Sequence, residues 1–422
     1  MTQSAWIAII IFIIVLLCIV TEKVNRTLAA MAGAMAMVFF RILDSDAIAS
    51  YIDFNTIGVL IGMMLVVSTV KKSGLFEFVA IYTAKLAKGN TAKILIGFAL
   101  ITAVLSAILD NVTTVLLIGP MTLVITQILE INPVPFLVTE IIASNIGGTS
   151  TLIGDPPNIM IGSAAGLGFS DFVVNLLPIV IVILAITLAI LYFLFRRHLN
   201  VDSSKTQAIM ALDPFKAITN PALLYKSLGT ILLILLGFIF HDRIGVSSSI
   251  VALTGATLIL IIADEDVEEI FSSVEWLTIG FFSALFVIVG GLEEVGVIEA
   301  LASYLIDATA GRPVIMVVVI LWLSAIVSSF LDNIPFVATL IPLIITMGQN
   351  GINIAPLWWA VSLGACLGGN GTLIGASANI VLINIGNRHG HKISFGYYFK
   401  YGFPLMLLSI ALSTIYLLLF YV

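Results

Sequence analysis

Apolar segments long enough to cross a lipid bilayer follow one another along almost the whole chain. Hydrocarbon offers no hydrogen bonds to a peptide group, so a membrane-crossing run of about 20 apolar residues is restricted to a helix. Of the 422 residues, 60% are hydrophobic and 10% are charged, whereas a soluble domain contains about 25% charged residues. The sequence therefore predicts an all-α polytopic membrane protein, and no binding of nucleic acid is expected.

Ten spans are predicted in two sets of five, and each set also contains an apolar pair that a polar turn divides near its centre. The first set comprises spans at 4–20, 27–43, 56–70, 134–168 and 172–195, with the pair at 92–129. The second set comprises spans at 226–242, 248–263, 276–292, 355–386 and 403–421, with the pair at 313–347. The predicted units are therefore 1–195, a cytoplasmic linker at 196–225, and 226–422.

The two sets repeat one sequence pattern. The residues Thr-Ile-Gly begin at Thr56 and again at Thr278, and Leu-Asp-Asn begins at Leu109 and again at Leu331. Both spacings are 222 residues (278 − 56 and 331 − 109), and we term this spacing the repeat offset. The residues Thr-Leu-Ile-Gly begin at Thr151 and again at Thr372, at nearly the same offset. Because each copy has five spans, an odd number, the second copy must be inverted relative to the first. Inverted repeats are a recurring architecture of secondary transporters.

The basic residues are distributed unevenly between the two predicted sides. With the N-terminus outside, 15 of the 18 Lys and Arg residues lie in inner loops, as expected from the excess of basic residues in cytoplasmic loops. We therefore expect a multi-pass protein of the cell membrane, plasma or inner, with both termini outside. The first apolar segment lacks the basic start and the cleavage site of a signal peptide, so it is predicted to be a retained span.

Two polar pairs, Asp110-Asn111 and Asp332-Asn333, occupy the turns of the two apolar pairs. A carboxylate in hydrocarbon costs roughly 2.5–3.5 kcal/mol even on lenient scales. Apolar residues adjoin both aspartates directly, which favours two re-entrant hairpins with tips at mid-depth over pairs that cross fully. Such backbone is tolerated only inside protein or beside a water-filled cavity. The tips are therefore predicted to be functional, with Na⁺ as one ion that these four residues can bind.

The spans at 134–168 and 355–386 cannot each be one continuous helix. Glycines, and in the first copy Pro156 and Pro157, interrupt them near their centres. Asp155 is predicted to cap the helix that begins at Pro156. A helix broken in the membrane presents N–H groups at its positive end and carbonyls at its negative end, and these groups bind ions.

The candidate ion- and substrate-binding residues therefore lie at the two hairpin turns and the two interrupted spans. They are Asp110, Asn111, Thr113, Thr114, Asn145, Gly147, Gly148, Thr149, Thr151, Asp155, Asn158, Asp332, Asn333, Gly368, Gly369, Asn370, Thr372 and Asn379.

These residues carry a family resemblance. "DNVTTVLLIGP" followed by "NPVPFLVTEIIASNIGGTSTLIGDPPNIMIGS" resembles the ion transporter superfamily, and within it the branch of arsenite permeases, sodium/proton antiporters and the pink-eyed-dilution (P) protein, with a citrate transporter-like domain. The resemblance implies an elevator-type secondary transporter, usually a homodimer, whose hairpin tips and unwound helices bind substrate and ions. The more distant sodium/dicarboxylate symporters have Ser-Asn-Thr at both tips, where this chain has Asp110-Asn111-Val112 and Asp332-Asn333-Ile334.

The sequence analysis thus predicts a secondary active transporter of a small inorganic ion that works by alternating access. Export of an arsenite-like anion or ion/proton exchange is the first reading, and Na⁺/H⁺ antiport is the alternative. An anion channel and, last, an intramembrane aspartyl protease are the readings from other classes, and no enzyme activity is expected. No cofactor is predicted beyond a coupling Na⁺ or H⁺. The chain has no phosphate-binding G-x-x-x-x-G-K-[ST] sequence, so an ATPase partner would have to be a separate subunit.

Overall fold

The computed structural model describes residues 2–21, 23–196 and 203–422. The first residues of the predicted linker, 197–202, lie outside the described residues. The described helices are α1 (Gln3–Thr21), α2 (Arg26–Phe39), α3 (Ile48–Tyr51), α4 (Phe54–Lys71), α5 (Leu75–Leu86), α6 (Thr91–Ile108), α7 (Asn111–Ile128), α8 (Val134–Gly148), α9 (Pro156–Ala165), α10 (Phe169–Phe195), α11 (Ser203–Ala211), α12 (Pro221–Ile244), α13 (Ser248–Ala263), α14 (Val267–Ser272), α15 (Trp276–Glu294), α16 (Val297–Ala308), α17 (Pro313–Phe330), α18 (Asn333–Gln349), α19 (Ala355–Gly368), α20 (Ser377–Arg388) and α21 (Phe395–Phe420).

The helices of the two copies correspond in order, α1 to α10 with α12 to α21, while α11 lies between the copies. Within the described ranges nine helices are long and apolar enough to cross a membrane, namely α1, α4, α6, α7, α10, α12, α15, α17 and α21. The predicted class, an all-α multi-pass membrane protein, is confirmed. The limits of the predicted units at 195 and 226 stay a prediction.

The two copies are interleaved rather than set side by side. Helix α4 of the first copy packs on α13 of the second, and α15 of the second packs on α2 of the first. With α1 and α12, these helices form what we term the six-helix block. A second body, the hairpin group, contains α6 to α9 and α17 to α20, in which α7 packs on α20 and α18 on α9. Each polar site between the copies is therefore built from both.

Each hairpin consists of two antiparallel helices of 17 or 18 residues, about 27 Å long at 1.5 Å per residue. We term Leu109–Asn111 the first tip and Leu331–Asn333 the second tip. The Ser106 hydroxyl donates to the Ser144 carbonyl at 2.6 Å, and the Ser328 hydroxyl donates to the Ala365 carbonyl at 2.6 Å. The first arm of each hairpin is thus bonded to an interrupted segment three residues before its tip.

The interruptions occur at the glycines that predicted them. We term 149–155, between α8 and α9, the first break, and 369–376, between α19 and α20, the second break. The side-chain amide of Asn158 donates to the Thr151 carbonyl at 2.9 Å, and that of Asn379 donates to the Thr372 carbonyl at 2.9 Å. A buried carbonyl without a hydrogen bond costs about 1–3 kcal/mol, so the two asparagines stabilise the unwound backbone.

Two 12-residue helices, α5 and α16, lie in segments that the sequence analysis treated as loops, and we term them the braces. They are too short to cross a membrane, and they follow Gly74 and Gly296, whose φ angles are +79° and +75°. Glycine adopts this left-handed conformation without the steric cost of a Cβ. Helix α5 packs against α7, and α16 packs against α18, so each brace supports the second arm of a hairpin.

Gly147 and Gly368 allow each hairpin to approach an interrupted helix closely. A Cβ at Gly147 would lie 2.1 Å from the Ala103 carbonyl oxygen, and a Cβ at Gly368 would lie 2.7 Å from the Ala325 carbonyl oxygen. Neither oxygen can move without its helix, since both belong to the backbone. Small residues that let helix backbones meet are typical of packing within membranes.

We therefore predict that Gly147→Ala lowers the melting temperature of the detergent-purified protein strongly, because overpacking costs roughly 1–3 kcal/mol or more. Gly229→Ala is the matched control, since no atom lies within 4 Å of a Cβ at Gly229 and alanine favours a helix over glycine by about 1 kcal/mol. Fluorescence-detected size-exclusion after heating measures both. Equal melting temperatures for the two variants would contradict this account of α6 packing on α8.

Candidate functional site

A cavity beside the first hairpin opens on the side of the molecule that carries the loops 71–74, 86–91, 212–220 and 263–276. We term this side the basic side. The cavity has a volume of about 580 Å³. Its walls include Ser68 and Lys71 of α4, Glu77 of α5, Thr113 of α7 and Glu275 before α15. The first hairpin therefore borders a space that water can fill from the basic side.

Asp110 lies at the first tip and caps α7. Its carboxylate accepts hydrogen bonds from the backbone N–H of Thr113 at 2.7 Å and from the Thr113 hydroxyl at 2.6 Å. Its φ of 152° and ψ of 161° fall in a region that is essentially limited to glycine and costs about 1–3 kcal/mol. The ion pairs within the described ranges do not include Asp110. The charges that act on Asp110 include those of Glu275 and Asp155, which are also negative.

Asp332, at the same place on the second tip, has different surroundings. Its Oδ2 atom accepts from Arg26 Nη1 at 3.0 Å and from the Ser377 hydroxyl at 2.7 Å. A cavity of about 330 Å³ on the basic side is lined by all three residues. The two aspartates that the sequence predicted to be equivalent are thus unequal, since one is paired with a cation and the other is not.

Amide side chains join the first tip, through Asn145 of α8, to the second break and α20. Asn145 donates from one amide nitrogen to Asn370 Oδ1 and to Asn379 Oδ1, each at 2.9 Å, and its oxygen accepts from Asn111 Nδ2 at 3.2 Å. All four of these asparagines are buried. The second copy has Cys366 in place of Asn145, and its thiol lies 3.5 Å from Asn158 Oδ1. Asn145 and Cys366 therefore occupy equivalent positions in the two copies, and the network around Asn145 is the more polar one.

Two predicted ligands have oxygen atoms that no group in the described structure engages. Asn111 Oδ1 and Thr114 Oγ1 are buried without a hydrogen-bond partner, and their residues are 2% and 0% exposed. Both belong to the first turn of α7. A buried oxygen without a partner is costly, so these two atoms are suited to a bound ion or water.

Several other predicted binding residues are engaged in hydrogen bonds that involve backbone carbonyls in this structure. The hydroxyl of Thr149 donates to the Asn145 carbonyl, that of Thr151 donates to the Ala107 carbonyl, and that of Thr372 donates to the Ser329 carbonyl. The carbonyls of four predicted glycines accept hydrogen bonds from protein groups; they are Gly147, Gly148, Gly368 and Gly369.

Asp155 precedes Pro156 as predicted, but its side chain makes no capping hydrogen bond, so the predicted cap is wrong. The second residue of α9 is Pro157, which has no N–H, and the N–H of Asn158 donates to the Asp155 backbone carbonyl at 2.9 Å. The carboxylate instead accepts from Asn333 Nδ2 at 3.3 Å at each oxygen. Asp155 therefore joins the first break to the second tip.

On the side opposite the basic side, Tyr51 covers the equivalent place. By the repeat offset, Tyr51 corresponds to Ser273, which lines the 580 Å³ cavity. The Tyr51 ring packs on Gly290, where a Cβ would be 2.4 Å from the ring, and its hydroxyl donates to Glu294 Oε2 at 2.6 Å. This hydrogen bond raises the pKa of Tyr51 to about 12, so the phenol donates at neutral pH. Gly290 corresponds to Ser68 in the open cavity.

Two polar residues of the hairpin region were missed by the sequence analysis. Arg26 contacts Asp332 from the other end of the chain, and no local pattern indicates such a pair. Glu140 of α8 is 1% exposed and accepts a hydrogen bond from the Thr122 hydroxyl, while its second oxygen has no partner. Its position inside the apolar run "PFLVTEIIAS" is the signal that could have identified it, since acids inside spans are rare.

Inverted repeats with polar tips set against broken helices define a membrane transporter. The sequence model of the citrate transporter family, CitMHS, matches residues 16–364, and the chain belongs to this family. Since the family is one of transporters and several matched relatives are named as transporters, the prediction that the chain is not an enzyme is confirmed.

The relatives extend over nearly the whole chain. It is 42% identical over 424 residues to the 46 kDa membrane protein of Mycobacterium leprae and 42% identical over 423 residues to an uncharacterized transporter of Mycobacterium tuberculosis, in both cases across 98% of each chain. It is 33% identical over 489 residues to the human P protein, across 95% of this chain and 58% of that protein. The predicted resemblance to the pink-eyed-dilution branch of the ion transporter superfamily is confirmed.

A solved structure shares the fold. The YdaH transporter of Alcanivorax borkumensis, whose topology is described as unusual, matches with a TM-score of 0.59 over 99% of this chain and 98% of that chain. At 15% sequence identity the likeness concerns the fold alone.

We predict that Asn145→Ala destabilises the protein more than any exposed asparagine change does. The substitution leaves Asn111 and the oxygens of Asn370 and Asn379 without their partner, and each such group costs about 1–3 kcal/mol when buried. Asn387→Ala is the control, because Asn387 is exposed on α20. Thermal unfolding in detergent compares the two, and equal melting temperatures would contradict a network that joins the first tip to the second break.

Proposed function

We propose that this membrane transporter is a secondary active cation exchanger in which a proton or Na⁺ binds at Asp110. One observation carries the proposal: Asp110 is a partly exposed tip carboxylate without a basic partner among the described ion pairs, and its hydrogen-bond partner Thr113 lines a cavity that opens on the basic side. An exchangeable ion needs a ligand that is charged, reachable and not permanently neutralised.

The charges at the helix N-termini favour a cation over an anion. The N-terminus of a helix attracts anions, but a carboxylate of the protein already sits at the N-termini of α7, α18 and α9, in Asp110, Asp332 and Asp155. Arg26 of α2 is bonded to Asp332 at the second tip. Lys71 and Lys72 line the cavity beside Thr113, but the ion pairs of the described residues join neither of them to a tip. An arsenite-like anion or a citrate would meet uncompensated negative charge there, so Na⁺/H⁺ exchange is preferred to anion export.

We further propose alternating access in which the hairpin group moves against the six-helix block, as in an elevator. Hydrogen bonds between the last turns of the first hairpin arms and the interrupted segments support re-entrant hairpins that stop at mid-depth. The basic side would face the cytoplasm by the positive-inside rule, which leaves both termini outside. A homodimer in the cell membrane remains our expectation from the family resemblance, and an ion gradient would make an ATPase subunit unnecessary.

Asp110→Asn should reduce cation exchange by at least about tenfold while the protein still folds. Asparagine caps a helix as well as aspartate does, whereas a charged hydrogen-bond partner of an ion is worth roughly 1.5–3 kcal/mol. The measurement uses proteoliposomes with a trapped pH dye, to which gradients of Na⁺, K⁺, arsenite or citrate are applied separately. Glu268→Gln, an exposed acid-to-amide change on α14, is the matched control.

The same assay distinguishes the alternatives. A dye response to the Na⁺ gradient that Asp110→Asn removes supports exchange at this carboxylate. Unchanged exchange in Asp110→Asn contradicts the assignment of Asp110. A response only to arsenite or citrate contradicts the choice of a cation and supports the anion reading.

Closure of the side opposite the basic side is tested by a pair of positions that the repeat offset makes equivalent, Val67 in the open cavity and Val289. In a Cys18→Ser background we expect Val67→Cys to react with an impermeant maleimide from the basic side and Val289→Cys to be protected from the other side. Tyr51→Ala should expose Val289→Cys, because the ring that packs on Gly290 is removed. Protection that persists in Tyr51→Ala would show that Tyr51 does not close this side.

A further inference from the structure

We propose that Arg26 is a resident cation that occupies Asp332, and that it restricts exchangeable ion binding at the tips to Asp110. The inference rests on the proposed function and deepens it, because it assigns one exchanged ion to each chain. Arg26 would then be a positioning residue for the charge balance of the site rather than an ion ligand.

The contacts of Arg26 show that its guanidinium is held in place as the counter-ion of Asp332. Its Nη1 atom lies 3.0 Å from Asp332 Oδ2 and 2.5 Å from the Ser377 hydroxyl, and its guanidinium lies 5.2 Å from the centre of the Phe281 ring. The ion pair is sheltered, since the side chains of Arg26 and Asp332 are 32% and 9% exposed. Groups from α15, α20 and the second tip thus converge on one guanidinium.

The position of Arg26 in its own helix does not explain its presence. Arg26 is the first residue of α2, and the positive end of the helix dipole disfavours a cation at the N-terminus. Asn25 already caps this helix through the N–H groups of Thr27 and Leu28. The favourable interaction that offsets this cost is therefore the one with the second tip.

The inverted repeat shows that the two tips differ in this counter-ion. The repeat offset pairs Arg26 with Ser248, whose hydroxyl accepts a hydrogen bond from Asn55. Among the described ion pairs Asp110 accordingly has no equivalent cation, and the nearby charges include the negative Glu275 and Asp155. Asp332 therefore has a cation beside it and Asp110 does not, because the position of Arg26 in the first copy is occupied by Ser248 in the second.

Asp332 would bind an ion if its counter-ion were absent. Its Oδ1 atom is buried without a partner, and the residue lines the 330 Å³ cavity with Arg26 and Ser377. A second cavity of about 430 Å³ extends from Arg26 to Glu275. A mobile cation could therefore reach this carboxylate from the basic side, but with Arg26 in place it would face a like charge at close range.

The test counts ions bound to each purified chain at equilibrium, with ²²Na⁺ at alkaline pH and with protons by back-titration. We expect one ion for the native chain and for Arg26→Lys, which keeps the charge. Arg26→Gln should bind two, a twofold increase, and Arg26→Gln combined with Asp332→Asn should return to one. A purely structural role of Arg26 would change stability without adding a site.

Asp332→Asn alone keeps the test decisive if Arg26→Gln does not fold. We expect it still to bind one ion, whereas Asp110→Asn binds none. Loss of the ion in Asp332→Asn, two ions in the native chain, or one ion in a folded Arg26→Gln would overturn the role of Arg26 and leave the exchanger intact. Absence of any ion that depends on Asp110 would overturn the proposed function itself.

Discussion

The structure depends on one constraint: backbone that is unwound inside an apolar helix bundle must find its hydrogen bonds within the protein. Water is absent from hydrocarbon, and an unsatisfied peptide group there costs several kcal/mol. Asn158 and Asn379 meet this need by donating to the carbonyls of the two breaks. Both asparagines are buried, so their own amide oxygens also need hydrogen-bond donors within the protein. Ser362 donates to Asn158 and Asn145 donates to Asn379, and these groups form the polar site at the centre of the molecule.

The twofold backbone carries an asymmetric set of charges. Asp155 has Ala376 as its counterpart, Asn145 has Cys366, and Arg26 has Ser248. The hydrogen bonds that define the breaks are nearly the same in both copies, so these replacements leave the fold unchanged. They decide instead which tip is charge-compensated and which break carries an acid. The exchange that we propose needs both features, a backbone that is repeated in inverted form and one tip whose carboxylate is not paired with a cation.

Several parts of the fold follow from local sequence, and others do not. The tips and breaks were predictable because aspartate, glycine and proline inside apolar runs are incompatible with a continuous helix in a membrane. The braces α5 and α16 were missed because a segment too short to cross the bilayer, with charged residues in it, resembles a loop. The capping role of Asp155 was wrong because Pro156 and Pro157 remove N–H groups that a cap requires, which left the carboxylate free to accept from Asn333.

The sequence by itself determined the class of protein, the inverted repeat and the residues gathered at tips and breaks, because hydropathy, repeat offset and helix-breaking residues can be read along the chain. The tertiary structure alone decided the partners: Arg26 with Asp332, Asn145 with Asn370 and Asn379, and Tyr51 over Gly290. Each of these contacts joins a residue of one copy to a residue of the other, and its geometry depends on how the two interleaved copies pack. Periodicity along one chain contains no information about that packing.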